Sequence, residues 1–122
     1  MFTIDNDNRI TVTRGDTFSL PLILNAGTDF NPVLYELEEG DTIYVAVMEP
    51  NQPFECALVK KVLTSGSELI DKSYQIKFNS SDTECLQPGK YYYQIKARFK
   101  NSDGTYNVNT VVPKTEFWIE ES

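Results

Sequence analysis

The sequence predicts an all-β protein: an antiparallel β-sandwich, immunoglobulin-like in size, with about 7–8 strands and at most one short helical turn near 81–86. Two kinds of pattern point there. In "KYYYQIKARF", Tyr91, Tyr93, Ile95, Ala97 and Phe99 alternate with Tyr92, Gln94, Lys96 and Arg98; in "SYQIKF", Tyr74, Ile76 and Phe78 alternate with Ser73, Gln75 and Lys77. Period two over such lengths is the mark of a half-buried strand. Turn chemistry then recurs at short intervals, in "EEGD", "EPNQP", "TSGS", "QPGK" and "NSDG".

Taken in order, strands are expected at Ile10–Val12, Thr17–Leu24, Asp41–Glu49, Ala57–Leu63, Ser73–Phe78, Lys90–Phe99, Thr105–Val112 and Lys114–Glu120. In "TFSLPLIL", Phe18, Leu20, Leu22 and Leu24 share one face, but Pro21 lacks a ladder donor, so this strand belongs at an edge or a bulge. "DTIYVAVME" is apolar on both faces, with Ile43, Val45 and Val47 against Tyr44, Ala46 and Met48, so it belongs in the middle of a sheet. "NSDG" reads as a hairpin loop. Only "SSDTECL" looks helical: Ser81 followed by Glu84 matches a capping box, and Pro88 ends it after about one turn. Repeats and low-complexity segments are absent, and residues 1–122 read as a single domain.

Arg14-Gly15-Asp16 lies between the first two expected strands. Gly15 takes a positive φ at little cost and Asp16 can bond the backbone ahead of it, so the triplet reads as a strand corner rather than an adhesion signal.

Composition excludes several classes of function. The net charge of −7 opposes nucleic-acid binding, which depends on neutralising phosphates. Residues 1–41 carry eight acidic and two basic side chains, and "YELEEGD" reads as a solvated acidic loop. No apolar run approaches the roughly 20 residues of a membrane span. The N-terminus has neither the basic start nor the apolar stretch of a secretion signal, which implies a protein made and kept in the cytoplasm unless something else carries it out.

There is no histidine, so the usual general base and commonest transition-metal ligand are missing. Cys56 and Cys85 lack zinc-like spacing and read as buried free thiols in preference to a disulfide. Asp5, Asn6, Asp7 and Asn8 resemble half of a calcium loop but lack its glycine and distal glutamate, so a solvated turn is expected. Glu36, Glu38 and Glu39 form a loop cluster, not a pair fixed across a cleft. The expectation is no catalysis, no cofactor and no metal.

Candidate interaction residues are Trp118, Tyr92, Glu116 and Glu120. In "TEFWIEE", Phe117 and Ile119 take one face and Glu116, Trp118 and Glu120 the other, while Tyr92 points outward from its own strand. An outward aromatic suits a neighbouring subunit or a sugar ring, or is covered by a loop of its own domain.

Three stretches together, "ITVTRGDTFSLPL", "LEEGDTIYVAV" and "LQPGKYYYQIKARF", resemble the N-terminal β-sandwich of phage baseplate upper proteins and related small phage or prophage virion proteins of Gram-positive bacteria. The closing "GTYNVNTVVPKTEFWI" fits the same pattern, so the resemblance spans Ile10 to Ile119. It implies a non-catalytic structural module docking onto a tail or baseplate, assembled in the bacterial cytoplasm and then carried in the virion. The implied partners are other tail or baseplate proteins, or further copies of itself. Longer members continue into a helical segment and a docking region; this chain corresponds either to their N-terminal domain or to a stand-alone virion protein. A carbohydrate-binding or adhesin-type module is the alternative, motivated by Trp118, Tyr92 and the acidic loops.

Overall fold

The computed structural model describes residues 2–24 and 35–121. Its strands are β1 (Thr3–Ile4), β2 (Ile10–Thr13), β3 (Phe18–Leu22), β4 (Thr42–Met48), β5 (Val59–Leu63), β6 (Leu69–Ile70), β7 (Ser73–Phe78), β8 (Gly89–Lys100) and β9 (Tyr106–Glu120). A 3-10 turn spans Phe54–Cys56 and one α-helical turn, α1, spans Ser80–Thr83. The chain is mostly β. The strands form a six-stranded sheet in the order β1-β2-β9-β8-β4-β5 and a three-stranded sheet in the order β3-β7-β6.

The alternation seen in the sequence sets which side chains are buried. Tyr91, Tyr93, Ile95 and Ala97 of β8 join Tyr74, Ile76 and Phe78 of β7, Leu20 and Leu22 of β3, and Phe117 and Ile119 of β9 in one hydrophobic cluster. Aromatic rings connect the two sheets at its centre. Phe18 stacks on Phe78 at 4.5 Å between centroids, and both lie 6.3 Å from Phe117. Each large side chain fully buried there is worth about 1.5–3 kcal/mol.

Pro21 sits on β3, at an edge of the three-stranded sheet, where its missing donor costs no internal ladder bond. β4 lies between β8 and β5, as its two apolar faces require. Ile43, Val45 and Val47 enter the main cluster, while Ala46 and Met48 are buried outside it, on the opposite face. The segment around the 3-10 turn packs there. Lys96 Nζ lies 4.7 Å from the centroid of the Phe54 ring, Lys114 Nζ donates to the Gln52 carbonyl at 2.7 Å, and Leu58 N donates to the Val47 carbonyl at 2.7 Å.

Several expectations need correction. The pairing is not wholly antiparallel: β2 runs parallel to β9, with Ile10 opposite Phe117 and Thr13 opposite Glu120. The Arg14-Gly15-Asp16 corner sends the chain to the other sheet, so β2 meets β9 only after the long crossover a parallel pair requires. The two strands expected at 105–112 and 114–120 are one strand, β9. Register shifts against β8 at Tyr93/Ile95 and Ile95/Lys96 bend it without breaking it, and Pro113 is accommodated beside them. β1 and β6, two residues each, were not expected because such short pieces show no periodicity.

The described residues hold two helical turns, not one. The 3-10 turn grows from the "EPNQP" turn, where Cys56 N donates to the Pro53 carbonyl at 3.0 Å. The α-helical turn starts earlier than expected and its reciprocal cap is Asn79 with Asp82, Asn79 N donating to Asp82 Oδ2 at 2.7 Å; it is not Ser81 with Glu84. The Cys56 and Cys85 thiols are free but exposed, not buried, because both lie on non-strand segments outside the inward alternation. The "YELEEGD" loop is not simply solvated, since Leu37 and Asp41 are both buried. Gly40 in that loop has φ +93°, a backbone conformation that favours glycine. Asp29, counted in the acidic N-terminal third, lies outside the described residues.

Candidate interaction surface

The outward positions of β9 and β8 form one face because the register sets them side by side. Glu116 lies opposite Tyr92, and Trp118 lies between Lys90 of β8 and Thr11 of β2. Phe117 and Ile119, the alternate residues, anchor this part of β9 in the core and fix which way Trp118 points. Trp118 is 40% exposed. Its indole Nε1 donates to Glu116 Oε1 at 3.1 Å, which holds the ring against the sheet. Lys90 Nζ stands 5.7 Å from the centroid of the half-buried Tyr92 ring.

Three of the four expected residues, Trp118, Tyr92 and Glu116, are therefore brought together. Glu120 is exposed on the same face, one alternation further along, opposite Thr13. Tyr91 and Tyr93 are buried in the core, with hydroxyls donating to the carbonyls of Gln87 and Asn8. Burial, and then the nearby Asp5 charge, push the Tyr93 phenol up to about 12.

The residues not foreseen come from elsewhere in the chain. Arg9, at the end of the β1–β2 turn, reaches to 3.9 Å from Glu116 Oε2. Asp5 holds that turn: its Oδ1 accepts from Asp7 N at 2.9 Å and Arg9 N at 3.0 Å, and its Oδ2 pairs with Arg9 Nε at 2.8 Å. The "DNDN" carboxylate is thus taken up by an arginine and its own backbone. Asp7, Arg9, Tyr92, Lys114, Thr115 and Glu116 line a shallow depression of about 410 Å³, and Trp118 reaches it only through its bond to Glu116. The signal for Arg9 lay in the β2–β9 pairing, which no local pattern announces.

Arg14-Gly15-Asp16 is held as a corner. Gly15 has φ +83° and its N–H donates to the hydroxyl of the buried Thr83 at 2.9 Å. Arg14 N donates to the Glu120 carbonyl, and its guanidinium pairs with Glu121 at 2.5 Å. Among the described residues there is no cluster of three or more Cys, Asp or Glu placed to hold a metal ion, and no helix is long and apolar enough to cross a membrane. No protein-family model, curated protein or solved structure matches the chain.

Proposed function

We propose that the chain is a non-catalytic structural module of a phage or prophage virion, part of a tail or baseplate, folded as an immunoglobulin-like β-sandwich and working through protein–protein contacts. The observation that carries this reading is the outer face of the six-stranded sheet. Trp118 and Tyr92 sit there among ions that pair laterally, a flat arrangement suited to a broad partner surface. The three sequence stretches quoted above supply the virion context. Partners are then neighbouring tail or baseplate proteins, or further copies of this chain, met in the bacterial cytoplasm and retained in the virion. Repetition by symmetry lets several weak contacts act together. Co-expression with the proteins encoded on either side, followed by size exclusion with light scattering, tests this: a stable co-complex that Trp118→Ala weakens is expected. A chain that stays monomeric beside every such neighbour contradicts it.

The depression lined by Arg9, Tyr92 and Glu116, with Trp118 bonded to Glu116, also favours a second reading, a carbohydrate-binding module. An exposed indole next to carboxylate and guanidinium groups can stack on a sugar ring and bond its hydroxyls. Titrating cell-wall polysaccharide while following Trp118 fluorescence decides this; an unchanged spectrum removes it.

A further inference from the structure

β9 extends beyond one of its two neighbours. β8 pairs with it from Tyr106 to Ile119, whereas β2 pairs with it only from Phe117 to Glu120. Among the described residues, no strand lies against Tyr106–Thr115 on the side away from β8. Such an edge presents backbone donors and acceptors to any further strand. Pro113 and Lys114, residue types that blunt edges, stand at one end and leave Tyr106–Val112 without a strand partner on that side among the described residues. Tyr106 and Val108 there are 45% and 65% exposed.

Charge indicates what fits. Residues 89–115 carry Lys90, Lys96, Arg98, Lys100 and Lys114 against the single acid Asp103, a net of +4 in a chain of net −7. Lys96, Arg98 and Lys100 alternate with inward residues and so stand on the outer side of β8, beside the open edge. The Arg98 guanidinium carbon lies 4.3 Å from the centroid of the Tyr106 ring, which places this cation over β9 itself. Its Nε is buried and has no acceptor among the described residues, a donor left unmet at a cost. No described carboxylate lies within salt-bridge distance of any of the five cations. Two such hairpins set edge to edge would oppose like charge to like.

We propose that Tyr106–Val112 is the docking edge for an extended acidic segment of a partner protein. That segment adds to the six-stranded sheet as a further strand, and its carboxylates meet Arg98 and the adjacent lysines. This rests on the reading of the chain as a contact module and names one place where contact is made.

The test is a labelled, blocked peptide alternating glutamate with valine, titrated against the intact chain by fluorescence anisotropy at low and physiological salt. Binding is expected, and it weakens as salt rises. Arg98→Gln reduces affinity at least about tenfold, the scale of one charge-assisted hydrogen bond. Val108→Glu, at an exposed position that leaves the core untouched, does so by repulsion, and N-methylating the peptide backbone abolishes binding. Equal binding by a peptide with lysine for glutamate, or by the N-methylated peptide, overturns the proposal. So does a dimer of the chain that Val108→Glu dissociates, which would give the edge to a second copy. Should the wild-type chain co-assemble with a neighbouring tail protein while Arg98→Gln and Val108→Glu leave that complex intact, the edge is overturned and the contact-module reading stands. If no co-complex forms, that reading fails and the peptide alone decides the edge.

Discussion

Asp41 accepts three hydrogen bonds: from the Tyr35 hydroxyl at 2.5 Å, from Glu38 N at 3.0 Å and from Lys100 N at 3.0 Å. It thereby ties the loop before β4 to the end of β8. Burial works to raise its pKa, but the donors from Tyr35, Lys100 and Glu38 outweigh it and hold the carboxyl below its ordinary value of 3.8. A depressed folded-state pKa gives stability that is complete above the unfolded value and is lost as pH falls through the folded one. Asp41→Asn is therefore expected to cost about 1–3 kcal/mol at neutral pH, with the gap to wild type narrowing in acid. Urea unfolding at neutral and strongly acidic pH measures this; an undiminished gap in acid would reject it. Cys56 and Cys85 carry a separate expectation. Both are exposed and unbridged, so the native chain should react with a thiol reagent at both sites without denaturant. Reaction only after unfolding would place them back in the interior.

At the level of elements, the segment over β4 shows what periodicity could and could not tell. The two-faced apolar pattern of β4 correctly required cover on both sides, and Ala46 and Met48 have it. What supplies the cover, the turn carrying Phe54, has no period of its own and read only as loop. Phe54→Ala is expected to destabilise by about 1–3 kcal/mol, below a full core truncation because the ring is only half-buried. Hydrogen exchange should speed up at Leu58 and in β4 while β7 is unchanged; uniform acceleration in both sheets would contradict a local role. The buried sides of β7 and β8 were legible because strict alternation meets a single interior. The site was legible only in part. Counting from the hairpin would set Trp118 opposite Pro88, and the two register shifts move its partner to Lys90. Arg9 was hidden for a different reason: the two strands that bring it to Glu116 lie at opposite ends of the chain.

For the molecule as a whole, that pairing of distant strands governs assembly and strength. Arg14 and Glu121, which meet beside it, are 107 residues apart in sequence, so the contact closes a very long loop. Chains dominated by such pairings fold in roughly milliseconds to seconds. Stopped-flow refolding followed by Trp118, which sits on this seam, should fall in that range; full amplitude within microseconds would contradict it. The same pair has a mechanical consequence. Because β2 and β9 point the same way, tension applied through the two ends of the chain drags them past each other along their length. The bonds between them share the load together rather than opening one by one. The β1–β2 turn should peel away first, and single-molecule pulling should then meet its main rupture at Ile10–Thr13 against Phe117–Glu120.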